Sequence, residues 1–198
     1  MKIFRRVLWG SVIVVCGLIV WLVYEIGKTN EEMMNIPFGP EFQLTAGDGS
    51  AITQEALREK PTAIFFGFTH CPEVCPTTLY EMNGWLNEVD PDGDEINAYW
   101  ITVDPERDTP EIMHRYLSNV TDRIEAISGD PDKVREMVDE FGIYYKKVPL
   151  DPNDPDGDYT MDHNASVFLL DDGGVLKGTI AYGENPEVAV KKLENLIN

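Results

Sequence analysis

Cysteine and histidine are scarce in this chain, with three of each in 198 residues. So few cysteines exclude a small scaffold held by several disulfides. Basic residues are also few, 16 against 35 acidic ones, giving a formal charge of −19. Three of those 16 precede the first apolar run, so the remainder carries about −22. That balance excludes nucleic acid and anionic lipid surfaces as natural partners of the main body. It leaves two readings open: plain solubility, or attraction of cations and basic partner surfaces. Internal repeats are absent. The one biased stretch, Asp151-Pro152-Asn153-Asp154-Pro155-Asp156-Gly157-Asp158, has its glycine out of register for a calcium loop and lacks the final Glu, so it reads as a solvated turn.

Long hydrophobic runs are limited to one, the 18 uncharged residues Val7 to Tyr24. That is close to the ~20 residues that span a bilayer core as a helix. The run ends in Val20-Trp21-Leu22-Val23-Tyr24 and lacks an Ala-x-Ala cleavage pattern, which favours an uncleaved anchor over a signal peptide. Lys2, Arg5 and Arg6 precede it, so residues 1–6 are expected in the cytoplasm. In a bacterium, 7–24 would cross the inner membrane and the rest would lie in the periplasm. Cys16 falls inside the run and reads as a small apolar residue. Residues 25–40 are polar and read as a linker, in which Met33 and Met34 are packing residues. Residues 41–198 suffice for one domain with its own core.

Within that domain, strands and helices alternate. Phe42 to Thr45 alternates as a short strand. Thr62 to Phe68 and Asn97 to Val103 are continuous apolar runs of buried-strand character. Helical spacing is present from Pro76 to Val89, and Thr109-Pro110, Asp130-Pro131 and Asn185-Pro186 each supply a cap followed by a first-turn proline. Ile124 to Ser128 reads as a strand and Tyr144 to Leu150 as extended chain. Asp171-Asp172-Gly173-Gly174 between two apolar segments predicts a hairpin. This order predicts an α/β fold: a mainly parallel sheet with helices on both faces and an antiparallel hairpin.

Two of the three cysteines sit together in Thr69-His70-Cys71-Pro72-Glu73-Val74-Cys75-Pro76, directly after an apolar strand. A disulfide across three residues closes too small a loop to stabilise much, so the pair points to chemistry. Thiols so placed either hold a soft metal or exchange with a disulfide. Pro76 suits the first helical position, which places Cys75 at the N-cap and predicts a depressed pKa for it. A third ligand would have to be a histidine. His70 is expected to point away from Cys71, and His114 belongs to an amphipathic helix. His163, in Tyr159-Thr160-Met161-Asp162-His163-Asn164-Ala165, lies in a predicted loop whose following strand should neighbour the central one. It is either a ligand, oriented by Asp162, or an ordinary loop histidine. A closed zinc centre needs four ligands, and only three are found.

Phe66-Gly67-Phe68-Thr69-His70-Cys71-Pro72-Glu73-Val74-Cys75-Pro76, then Thr102-Val103-Asp104-Pro105-Glu106-Arg107-Asp108-Thr109-Pro110, then Asp162-His163, closely resemble the Sco (SenC) family over about residues 36–197. These are membrane-anchored, thioredoxin-fold copper chaperones for cytochrome c oxidase. The resemblance implies a thioredoxin-like fold and copper, Cu(I) or Cu(II), held by Cys71, Cys75 and His163. It further implies cytochrome c oxidase subunit II as partner, another copper chaperone as possible donor, and no turnover chemistry as an enzyme. Glu73 and Asn164 stand where the family often has Asp and Ser, which leaves the ligands intact. The residues also allow a thiol–disulfide oxidoreductase acting through Cys71 and Cys75, and, more remotely, a single-cysteine peroxidase.

Overall fold

The computed structural model describes residues 2–198, with the side chains of 9, 10, 14–29 and 35–198. It divides into two compact units, Met1–Ile36 and Pro37–Asn198.

The first unit is one helix, α1 (Lys2–Met34). The expected linker is therefore helical as far as Met34. Its residues include no proline before Pro37, and Glu, Lys and Met are good helix formers. Cys16 is exposed on this helix. Among the described residues, no helix is long and apolar enough to cross a membrane. The anchor expected over 7–24 falls partly outside them, since the side chains of Val7, Leu8 and Ser11 to Ile13 are not included.

The second unit is built on a seven-stranded mixed sheet. Its strands are β1 (Gln43–Ala46), β2 (Ala51–Thr53), β3 (Thr62–Gly67), β4 (Asn97–Thr102), β5 (Glu125–Ser128), β8 (Ser166–Leu170) and β9 (Leu176–Ala181), ordered β2-β1-β5-β4-β3-β8-β9. Two further strands, β6 (Tyr145–Pro149) and β7 (Tyr159–His163), form a separate antiparallel ribbon. Helices α2 (Val74–Val89), α3 (Pro110–Leu117), α4 (Pro131–Glu140) and α5 (Pro186–Glu194) complete the thioredoxin-like arrangement. β3 and β4 run parallel, with Phe65 opposite Trp100 and Gly67 opposite Thr102. β8 runs antiparallel to β3.

Every residue of β3 is buried, as expected for a strand covered on both faces. Burying each Phe or Ile there contributes about 1.5–3 kcal/mol. On one face, Phe66 meets Phe141 and Phe168 at ring distances of 5.4 and 5.7 Å. On the other, Trp100 packs 5.2 Å from the Tyr116 ring of α3. The three expected capping pairs are all present. Thr109 accepts from the Ile112 N–H, Asp130 from those of Asp132 and Lys133, and Asn185 from that of Glu187.

The sheet is mixed and not mainly parallel: only the β3–β4 and β4–β5 pairings are parallel, and the other four are antiparallel. Two elements also differ from expectation. β7 was expected as a loop, because its polar residues form a strand only through pairing with β6. The helix after the cysteines begins at Val74, with Glu73 at the N-cap making no side-chain cap. Cys75 is therefore inside the first turn, and Pro76 sits where the free N–H groups make its missing one harmless.

Candidate metal centre

β3 delivers the chain to the carboxyl end of the sheet, and the turn after it carries the cysteines. Cys71 is half-buried there and Cys75 is fully buried, both as free thiols. The first-turn N–H of Cys75 donates to the Cys71 sulfur at 3.3 Å. The helix N-terminus thus serves Cys71, one turn upstream, and not Cys75 as expected.

The two thiols are electrostatically unlike. Cys71 is pushed well below the usual thiol range. The hydrogen bond from the Cys75 thiol is the main cause, opposed by burial and helped by His163 and the N–H groups of Cys75 and Glu73. Cys75 is pushed up, first because it donates to the Cys71 thiolate and second by burial. The depressed thiol expected at Cys75 is therefore at Cys71. The pair behaves as one accessible thiolate backed by one buried thiol.

β7 brings His163 to the same place. Its Nε2 lies 3.7 Å from the Cys75 sulfur, and its Nδ1 lies 2.7 Å from the backbone oxygen of Asn164. Nδ1 donates to that carbonyl, which turns Nε2 toward the cysteines, where the neutral ring would present its lone pair. The ring packs edge-on against Phe68 and Phe65, at 5.7 and 6.3 Å. The orienting acceptor is thus the Asn164 carbonyl, not Asp162. Asp162 is exposed, because successive residues of a strand face opposite ways. His70 is exposed beside Thr69, and His114 is exposed on α3. Neither joins the site. Among the described residues, no group of three or more His, Cys, Asp or Glu side chains is already converged as a metal cage. Cys71, Cys75 and His163 are neighbours whose donor atoms still have to close together.

A polar network missed from the sequence joins the two halves of the site. Buried Asp108 accepts from the Thr69 N–H at 3.0 Å, from the Thr69 hydroxyl, and from the Thr102 hydroxyl at 2.8 Å. That fixes the turn leading to Cys71. Buried Asp104 accepts from Arg107 Nε at 2.5 Å and from the Tyr159 hydroxyl at 2.8 Å. Arg107 also donates to the Tyr159 carbonyl at 2.9 Å and covers its ring at 3.7 Å. That fixes the start of β7, the strand ending at His163. The sequence signal was the run Asp104-Pro105-Glu106-Arg107-Asp108 at a strand end, charges too concentrated for an ordinary turn.

Gly67 is a second missed residue. A Cβ there would lie 2.9 Å from Trp100 Nε1 and 3.0 Å from both the Cys75 sulfur and the Phe65 ring. Its φ is not positive, so glycine serves space, not backbone conformation.

The chain is similar in sequence and fold to known proteins. The copper-bound structure of ScoI from Bradyrhizobium japonicum is 44% identical, with a TM-score of 0.72, covering 80% of this chain and 99% of that one. The apo Sco1 solution structure from Thermus thermophilus is 32% identical, with a TM-score of 0.68, covering 81% and 92%. SCO2-like protein RT0576 of Rickettsia typhi is 32% identical over 148 residues, 75% of this chain and 72% of its own. The family model described as SCO1/SenC matches residues 30–198, and the chain belongs to that family.

Proposed function

We propose that this chain is a membrane-anchored copper carrier that assists assembly of the dinuclear copper centre of cytochrome c oxidase subunit II. The observation that carries the reading is His163 Nε2 lying 3.7 Å from the Cys75 sulfur, its ring held through Nδ1 by the Asn164 carbonyl. Cys71, Cys75 and His163 offer two sulfurs and one imidazole, a donor set that fits copper in either oxidation state. Copper is cargo here, not a resident cofactor. The Cys71 thiolate binds first because it is accessible and already charged; the Cys75 thiol yields its proton as it joins. Three ligands leave the site open for exchange with an incoming donor or acceptor ligand. Residues 7–24 anchor the chain, with the domain of 41–198 outside the bacterial inner membrane, so that carrier and subunit II share one surface. A further copper chaperone would load it.

The test is to add one equivalent of Cu(II) anaerobically to the reduced chain and record visible absorption and EPR. A stable one-to-one complex with thiolate-to-copper charge transfer is expected. His163→Ala should weaken Cu(II) binding about 10–100-fold and Cu(I) binding far less, since two thiolates suffice for Cu(I). Equal losses of both would overturn the ligand set.

The unlike cysteines favour a second reading, thiol–disulfide exchange. Cys71 thiolate attacks a target disulfide, releasing one target thiol and forming a mixed disulfide; Cys75 then attacks the Cys71 sulfur, releasing the second thiol and leaving a Cys71–Cys75 disulfide. Rapid thiol oxidation with no retained copper in the same experiment would favour this reading.

A further inference from the structure

Trp100 is fully buried in the middle of β4, yet among the described residues its indole N–H has no hydrogen-bond acceptor. Such a group is rare in a native interior and calls for an explanation. Indole nitrogen only donates, so relief requires an acceptor to arrive. The space beside Gly67 brings one candidate acceptor close. The point where a Gly67 Cβ would stand is 2.9 Å from Trp100 Nε1 and 3.0 Å from the Cys75 sulfur. The indole nitrogen and the sulfur therefore both border the space that any side chain at 67 would fill. Phe65 and the Tyr116 ring hold the indole on this face of the sheet.

A neutral thiol is a weak acceptor. A charged sulfur is a strong one. We propose that Trp100 is a positioning residue whose indole N–H donates to the Cys75 sulfur once that sulfur is held as a thiolate in the copper-loaded protein. This deepens the copper-carrier reading and rests on it. Gly67 then has a defined task, keeping open the path along which the N–H reaches the sulfur. The donor also withdraws charge from the sulfur, so it stabilises Cu(I) relative to Cu(II) and raises the energy of the charge-transfer band.

The experiment uses the reduced full chain in detergent, loaded with one equivalent of Cu(I), which is diamagnetic. The chain has four tryptophans, and the indole signal of Trp100 is assigned by its loss in Trp100→Phe. On loading, that signal should move downfield while that of Trp85, buried elsewhere in α2, stays in place. Trp100→Phe should lower Cu(I) affinity about tenfold in chelator competition, the worth of one charge-assisted hydrogen bond. It should also shift the Cu(II) charge-transfer band to lower energy. Trp85→Phe, an equal loss of buried indole, should do neither. Copper bound with an unmoved Trp100 signal, or with equal effects from both variants, overturns this assignment and leaves the carrier function standing. No retained copper overturns both.

Discussion

Two buried aspartates organise the two ends of the main sheet, and they are held differently. Asp90, at the end of α2 and before β4, accepts four backbone N–H groups, from Gly93, Asp94, Glu95 and Ile96. It also meets Arg123 Nη2 at 2.9 Å. Burial alone would raise its pKa, but the N–H groups and Arg123 outweigh it, and the carboxyl lies below its ordinary range. Asp108, at the end carrying the cysteines, has donors from Thr69 and Thr102 and no basic partner among them. Burial wins there, and its carboxyl lies above the ordinary range. At the end remote from the site the carboxylate is answered by a cation and four N–H groups. The end at the site keeps an uncompensated acid, as expected where geometry for function outranks stability.

The sharpest way to break this contrast is truncation of each carboxylate. Asp90→Ala should cost about 3–5 kcal/mol by urea unfolding, because it strands Arg123 and four N–H groups. It should leave copper affinity unchanged. Asp108→Ala should cost less, about 2–3 kcal/mol, but should loosen the Thr69 turn and weaken copper binding. If both variants lose only stability, the link from Asp108 to the cysteine turn is wrong.

The pH dependence of isosteric variants sharpens the comparison. A depressed folded pKa means that Asp90 adds stability above its unfolded value near 3.8 and loses it as pH falls through the folded value. The advantage of wild type over Asp90→Asn should therefore grow as pH rises from 2 upward. For Asp108 the sign reverses. Its folded form binds the proton more tightly, so stability falls as pH rises from about 3.8 through the raised folded value. The advantage over Asp108→Asn should shrink over that range. Parallel slopes from unfolding curves at several pH values would remove the distinction.

The smallest effect concerns His163. Arg107→Ala should loosen the start of β7 and lower Cu(II) affinity about tenfold, with Cu(I) affinity little changed; losing the partner of buried Asp104 also lowers stability. Chelator competition in both oxidation states reads it.

What was legible in the sequence is what short-range physics decides. The buried run of β3, the Asp-Asp-Gly-Gly hairpin and the Thr-Pro, Asp-Pro and Asn-Pro caps depend on neighbours within a few residues. β7 was not legible as a strand because it exists only by pairing with β6, outside the sheet. Its period-two signal was present in Tyr159, Met161 and His163, of which only Met161 is buried. The depressed thiol is Cys71 chiefly because the buried Cys75 thiol donates to it, with the Cys75 N–H of the early helix start adding to that; the spacing alone does not show which sulfur gives the proton. Trp100 and Gly67 read as ordinary strand residues, since their relation to Cys75 arises only when β3, β4 and α2 pack together.

The β6–β7 ribbon has a further consequence for opening of the fold. It pairs with no strand of the main sheet and is tied down by Arg107, by Lys147 with Glu106 at 2.5 Å, and by the turn at Asn164. β3 and β4 cannot open without unfolding the domain, whereas the ribbon can detach as a unit of low local stability. Amide hydrogens of β6 and β7 should exchange with solvent deuterium well before those of β3. Each such opening carries His163 away while Cys71 and Cys75 stay seated, so under the proposed ligand set local unfolding of the ribbon would set how fast the imidazole lets go.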